Sequence, residues 1–243
     1  MRVLFSSTRG AGHFQPLLPY ARALQERGHA VIVAAPASVE EPLRQAGLAH
    51  ARFDHPGDEA LAPIWASFRD LSPDESTALA VREIFAGLNP RVALPKLEQA
   101  IGSFRPDLIV RDSVEFAALI AAESAGVPHA RIAVHLVSFE DRIPAIVAEP
   151  LAALREKAGL PPDQGASLLS EPTFSAFPES LDEAPAGGGP RTPAPFRARM
   201  PDDEPELAHA PWAAGADSRP LVYITFGTIV GSTPRLSAIY RLA

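Results

Sequence analysis

The first half of the chain alternates short apolar runs with segments whose apolar residues recur at helical spacing. Val3–Ser6 is an apolar run that breaks into Arg9-Gly10-Ala11-Gly12, after which Leu17, Leu18, Ala21 and Leu24 follow at intervals of three and four up to Gly28. This pattern predicts a strand, a glycine turn and an amphipathic helix. Pro16 and Pro19 fall in the first turn, where a missing amide donor costs least, and Gly28 suits the residue just past the helix end. Val31–Ala34 reads as a second strand, and Ser38 with Glu41 has the spacing of a capping box for a helix ending at Gly47.

A less regular stretch follows, carrying Trp65 and Phe68 ahead of a second capping pair, Ser72 and Glu75. Helix-compatible sequence then runs to about Gly102, with an interruption expected at Asn89-Pro90. Leu108–Val110 reads as a strand, Val114–Ala125 as a helix closed by Gly126, and Ala130–Val134 as another strand. Strands alternating with helices of this length predict an α/β fold, a Rossmann-like parallel sheet with helices on both faces.

Composition changes after Pro178. Gly187-Gly188-Gly189 and the prolines from Pro185 to Pro211 predict a linker over 183–219, with a short edge strand at 196–200. Leu221–Phe226 reads as a new strand that turns at Gly227 and enters a helix around Pro234. One strand and one helix cannot bury their own apolar faces. The expected organisation is therefore a Rossmann-like domain over 1–182, the linker, and the truncated start of a second Rossmann-like domain over 220–243.

With 243 residues, 47% of them hydrophobic, there is enough apolar side chain for one large core, or one domain and part of another. The net charge of −7 and the absence of any Lys/Arg block argue against a nucleic-acid partner, which needs a basic patch. There is no cysteine, which excludes disulfides, thiolate metal sites and a cysteine nucleophile. Met1–Phe5 is too short for a signal peptide, and no apolar run approaches the roughly 18–20 residues of a membrane span, so a cytoplasmic location is expected.

In an open parallel sheet, ligands bind at the carboxyl ends of the strands. Gly10-Ala11-Gly12-His13 follows the first predicted strand and Arg111-Asp112-Ser113 follows Leu108–Val110, so neighbouring strand ends would bring His13 and Asp112 together. A neutral imidazole can take a proton from a substrate hydroxyl, while a carboxylate on its other nitrogen holds the tautomer and stabilises the imidazolium. The glycines, Gly12 among them, let the helix N-terminus face a bound anion. Spacing alone fits His13 equally well as a solvated residue after an ordinary turn, and it favours a helix N-cap role for Asp112. A dinucleotide site does not fit, because the G-x-G-x-x-G frame from Gly10 places Gln15 at its third glycine and the second strand ends in Ala34-Ala35-Pro36 rather than an acid.

With these residues in view, the chain resembles the GT-B glycosyltransferases of bacterial natural products, particularly those acting on macrolides and polyketides. The matching stretches, in order, are Arg2–Phe5, Gly10-Ala11-Gly12-His13-Phe14-Gln15-Pro16, Gly28-His29-Ala30-Val31, Pro106–Asp112, Gly126-Val127-Pro128, Phe177–Leu181 and Val222–Thr228. The resemblance implies two facing Rossmann-like domains, the first binding the acceptor and the second a UDP- or TDP-sugar. It implies that His13 is the base, that Asp112 supports it, and that transfer inverts the anomeric centre. It also places Gly227 and Thr228 near the donor phosphates. No metal and no cofactor beyond the nucleotide-sugar co-substrate are expected. The donor signature of such enzymes, a histidine followed by glycines and a hydroxyl residue, would lie beyond Ala243. The chain alone is therefore expected not to turn over without that half, whether supplied as a C-terminal domain or through a homodimer.

Phe14, Trp65, Phe68, Phe85, His135 and Phe139 are candidates to line the apolar pocket of a small hydrophobic acceptor, although each aromatic taken singly also fits the core. Asp202-Asp203-Glu204 fits a solvated charge run, and His29, His50, His55, His129 and His209 have no ligand-set spacing. Two other functions remain open at this stage: an acceptor-binding module without chemistry, and another GT-B enzyme such as a sugar-nucleotide epimerase.

Overall fold

The computed structural model describes residues 1–163, 165–178 and 195–197. These form a parallel sheet of seven strands: β1 (Arg2–Ser6), β2 (Ala30–Pro36), β3 (Ala49–Phe53), β4 (Leu108–Asp112), β5 (His129–Ala133), β6 (Thr173–Ser175) and β7 (Phe196–Arg197). The order across the sheet is β3-β2-β1-β4-β5-β6-β7, and every neighbouring pair is parallel. The direction of winding reverses between β1 and β4, and a crevice opens at the carboxyl ends of strands at such a switch point.

Helices cover both faces, as the strand–helix alternation predicts. Val3 and Phe5 of β1 pack with Val31, Val33 and Val110 against Leu17, Ala21 and Leu43 on one side. Leu4, Ala34 and Ile109 point to the other side, against Leu97, Ile101, Ala117 and Ala121. The α-helices of the described residues are α1 (Ala11–Phe14), α2 (Leu18–Glu26), α3 (Glu40–Gln45), α4 (Asp58–Ser67), α5 (Pro73–Leu79), α6 (Asn89–Phe104), α7 (Phe116–Ala125), α8 (Val137–Glu140), α9 (Ile143–Lys157) and α10 (Ala166–Ser170), of which α2, α3, α6 and α7 carry the packing residues just named. Leu17 itself sits in the 3₁₀ turn that joins α1 to α2. No helix among the described residues is long and apolar enough to cross a membrane.

Three expectations need correction. The Ser38–Glu41 capping box does not form: a 3₁₀ turn occupies Ala37–Val39, and the extended residue ahead of it is Pro36, which has no side-chain oxygen to cap with. Glu41 bonds Arg44 and Gln45 instead. The Ser72–Glu75 box forms as expected. The stretch read as irregular holds β3 and α4; β3 lies at the sheet edge and carries no clean burial alternation to read. Finally, Asn89-Pro90 interrupts nothing. A π-helical segment, Ala80–Leu88, leads into α6 with Pro90 in its first turn, where its missing N–H is not needed. The 196–200 strand is seen as β7, while the linker and the 220–243 elements lie outside the described residues apart from 195–197.

Candidate active site

The backbone leaves β1 at Ser6, remains tied to β2 through the Ser7 N–H to Ala34 carbonyl bond of 3.0 Å, and reverses at Gly10 with φ +115°. An L side chain rarely adopts that angle, and a Cβ there would stand 3.5 Å from His13 Cδ2. Gly10 thus sets His13 into the first turn after the strand. Gly12, expected on the donor side, is exposed, with open space where a Cβ would go.

His13 Nδ1 stands 3.7 Å from Asp112 Oδ2. That distance makes an ion-pair contact rather than a hydrogen bond, and Nδ1 is buried with no hydrogen-bond partner. The 19% of the side chain that remains exposed lies away from Nδ1. Asp112 is fully buried. Its Oδ2 accepts from Thr8 N–H at 2.8 Å, Thr8 Oγ1 at 3.2 Å and Ser7 Oγ at 3.4 Å, and its Oδ1 accepts from Val114 N–H at 2.9 Å. Burial pushes this carboxyl up, but the facing His13 ring and the Thr8 and Val114 amides outweigh it and hold Asp112 below the usual carboxylate range. Neighbouring strand ends therefore place an ionised carboxylate behind the imidazole. Phe85 of the π segment packs against the ring at a tilt of 44°, with centroids 5.1 Å apart.

The N-cap role open to Asp112 belongs to Glu115, whose carboxyl accepts from the Ala117 and Ala118 amides and from Ser6 Oγ. Its burial, with the Asp112 charge nearby, pushes its pKa up to about 7. Arg111 makes a buried pair with Glu171, which also meets His129.

Of the expected acceptor residues Phe85 lies against the base, and Phe14 is turned into the core. Phe14 is 6% exposed and packs in the core with Leu17 and Val33. One step along a helix turns the side chain by about 100°, so the residue after an outward His13 faces inward. Phe85 shares one apolar cluster with Phe68 and another with Phe139. Trp65 stands edge-on to Phe68 at 5.0 Å and is largely exposed. His135 packs on Phe139 at 4.8 Å. Gly227 and Thr228 lie outside the described residues. Among the described residues no group of three or more His, Asp or Glu side chains is placed to hold a metal ion. Three residues that build the site were not singled out from the sequence: Thr8, Glu115 and Glu140. Only Thr8, two residues past the first strand, had a position that could have flagged it; Ser113 was named at its strand end without a role.

Residues 22–186 match the family described as "Erythromycin biosynthesis protein CIII-like, N-terminal domain". The chain belongs to that family. Over its whole length it is 32% identical to the L-demethylnoviosyl transferase of Streptomyces niveus, of which it spans 61%. Among solved structures it is similar to the spinosyn forosaminyltransferase, with TM-score 0.62, 21% identity, and coverage of 98% of this chain and 60% of that one. It is also similar to a Streptomyces sp. SF2575 glycosyltransferase complexed with thymidine diphosphate, with TM-score 0.59, 20% identity, and coverage of 78% and 53%. At these identities the structures establish the fold. The erythromycin-biosynthesis-CIII-like chain has the N-terminal architecture of GT-B glycosyltransferases, and its curated relatives are named as transferases of natural-product sugars.

Proposed function

We propose that this chain is the acceptor-binding part of an inverting, metal-independent glycosyltransferase. It would deliver a sugar from a UDP- or TDP-sugar to a hydroxyl of a small hydrophobic acceptor, in the cytoplasm. The observation that carries this reading is the His13 ring set 3.7 Å in front of the buried, ionised Asp112 at the switch point of the sheet. In the reaction, the exposed nitrogen of His13 takes the acceptor hydroxyl proton as the oxygen attacks the anomeric carbon. The bond from that carbon to the diphosphate breaks, the nucleoside diphosphate leaves, and Asp112 balances the imidazolium. No bound cofactor takes part in these steps.

Phe85, Phe68, Trp65, Phe139 and His135 form the acceptor side in this reading. Gly12, Gly227 and Thr228 belong to the donor side, and the 1–182, 183–219 and 220–243 division describes the two halves and their linker. The thymidine diphosphate bound by a relative of like fold supports the donor class. The chain spans 61% of its demethylnoviosyl transferase relative, so the test is made on the chain joined to the C-terminal portion such relatives carry. In that enzyme His13→Ala is expected to lower kcat by about 10²–10⁴. Unchanged turnover would refute the assignment of the base.

A further inference from the structure

The end of β4 serves two histidines. Asp112, its last residue, faces His13 on the β1 side. The next residue, Ser113, still pairs with β5 through its N–H to the Ile132 carbonyl at 3.0 Å, and its side chain emerges on the opposite face, as the strand period requires. Ser113 Oγ donates to Glu140 Oε1 at 2.6 Å. The same carboxylate oxygen accepts from the His135 backbone N–H at 3.3 Å and stands 3.3 Å from His135 Nδ1. Glu140 is fully buried, whereas the His135 side chain keeps 26% of its surface exposed.

This arrangement repeats the one around His13: a buried carboxylate at Nδ1, a phenylalanine tilted against the ring, and some side-chain surface open. A plain loop brace would not need it. The second carboxylate oxygen, Oε2, is buried with no hydrogen-bond partner, a penalty that a neutral residue at the same place would avoid. In a neutral His135 ring that donates Nδ1–H to the carboxylate, Nε2 carries a lone pair and accepts. His13 and His135 follow parallel strands and so stand at the carboxyl end of the sheet, β4 lying between their strands. Two strand spacings put their strands about 10 Å apart. Phe85, which touches His13, and Phe139, which touches His135, pack against one and the same apolar cluster.

We infer that His135, held by the positioning residue Glu140, is a second polar anchor for the acceptor. It takes a hydrogen bond from a hydroxyl other than the one that His13 deprotonates. The acceptor class is then an apolar diol, with its two hydroxyls on different rings of one scaffold. This rests on the glycosyl-acceptor reading above and deepens it.

The test is calorimetry on the chain with 2,7-dihydroxynaphthalene and 2-naphthol as probes. The parent is expected to bind the diol about three- to tenfold more tightly, the worth of one net hydrogen bond. His135→Phe keeps the ring packing, and should bring the diol to the level of 2-naphthol while leaving 2-naphthol within about twofold. Glu140→Leu should do the same, and Glu140→Gln, whose amide oxygen still accepts from Nδ1–H, should restore most of the preference. No preference in the parent, equal weakening of both probes in His135→Phe, or failure of both probes to bind would each overturn the inference. His13→Ala separates it from the transferase reading: the diol preference should survive that change while transfer in the joined enzyme is lost. In the joined enzyme with His13 in place, a diol preference with no transfer to any acceptor would sink the transferase reading and leave the anchor standing.

Discussion

Asp112→Asn removes one charge with almost no change of shape, and two separate consequences can be worked out for it. The first concerns the imidazolium that forms as His13 takes a proton. At 3.7 Å the carboxylate stabilises that cation by about 4 kcal/mol if the effective dielectric is about 20. Losing it corresponds to about 10³ in rate. The second concerns folding. Oδ1 and Oδ2 each accept a backbone N–H, from Val114 at 2.9 Å and Thr8 at 2.8 Å. Whichever way the asparagine is turned, its NH₂ meets one of those donors in a fully buried place, at a cost of about 1–3 kcal/mol. The rate effect is the larger, and the two are separable. In the enzyme joined to its C-terminal portion, kcat should fall by about 10³ with KM little changed, at a temperature where circular dichroism shows the variant folded. The His13→Ala, Asp112→Asn double variant should be no more than a few-fold slower than His13→Ala alone, because the carboxylate acts through the ring. A folded Asp112→Asn enzyme within about tenfold of the parent, or effects that multiply in the double variant, would refute the coupling.

Two further outcomes concern stability. Burial pushes the Glu171 carboxyl up, but the Arg111 guanidinium and the His129 ring outweigh it and hold its pKa at about 2. A depressed folded-state value means its stabilisation is present above the ordinary value of 4.5 and fades as pH falls toward 2. Glu171→Gln should therefore cost about 3–5 kcal/mol near neutral pH in urea denaturation, since it strands a buried Arg111. The gap to the parent should close between those two pH values, and a gap that persists at pH 2 would contradict the pairing. Gly10→Ala forces an L side chain to φ +115° and should lower stability by about 1–3 kcal/mol, seen as a drop in Tm, with loss of turnover as His13 moves. Gly12→Ala, in a helical turn with open space, should leave Tm unchanged or raised. Equal losses at the two glycines would show that the turn does not set the base.

The parts of the fold that could be read from the chain were those whose own periodicity reports their surroundings. β1, β2 and β4 announce themselves because burial on both faces demands apolar runs, β5 by the apolar residues on either side of Arg131, and α2 and α7 end at glycines that the structure holds at positive φ. β3 gave no such signal because an edge strand has no second neighbour to constrain it. Ser38 and Glu41 had the right spacing for a cap, and the turn before α3 began too early to use it. Phe14 was a candidate for the acceptor pocket, but the helical rotation between it and His13 buries it.

Local pattern thus determined the α/β class, the glycine turn after the first strand and the presence of a histidine and an aspartate at two strand ends. It also ruled out a dinucleotide fingerprint. Tertiary structure alone decided that those two ends are neighbours, because the choice of strand partner depends on how distant segments cross over the sheet and not on either segment's own residues. It also decided which carboxylates matter. Asp112, Glu115 and Glu140 look alike along the chain, yet burial and the donors around each make the first the partner of His13, the second a helix cap and the third the support of His135.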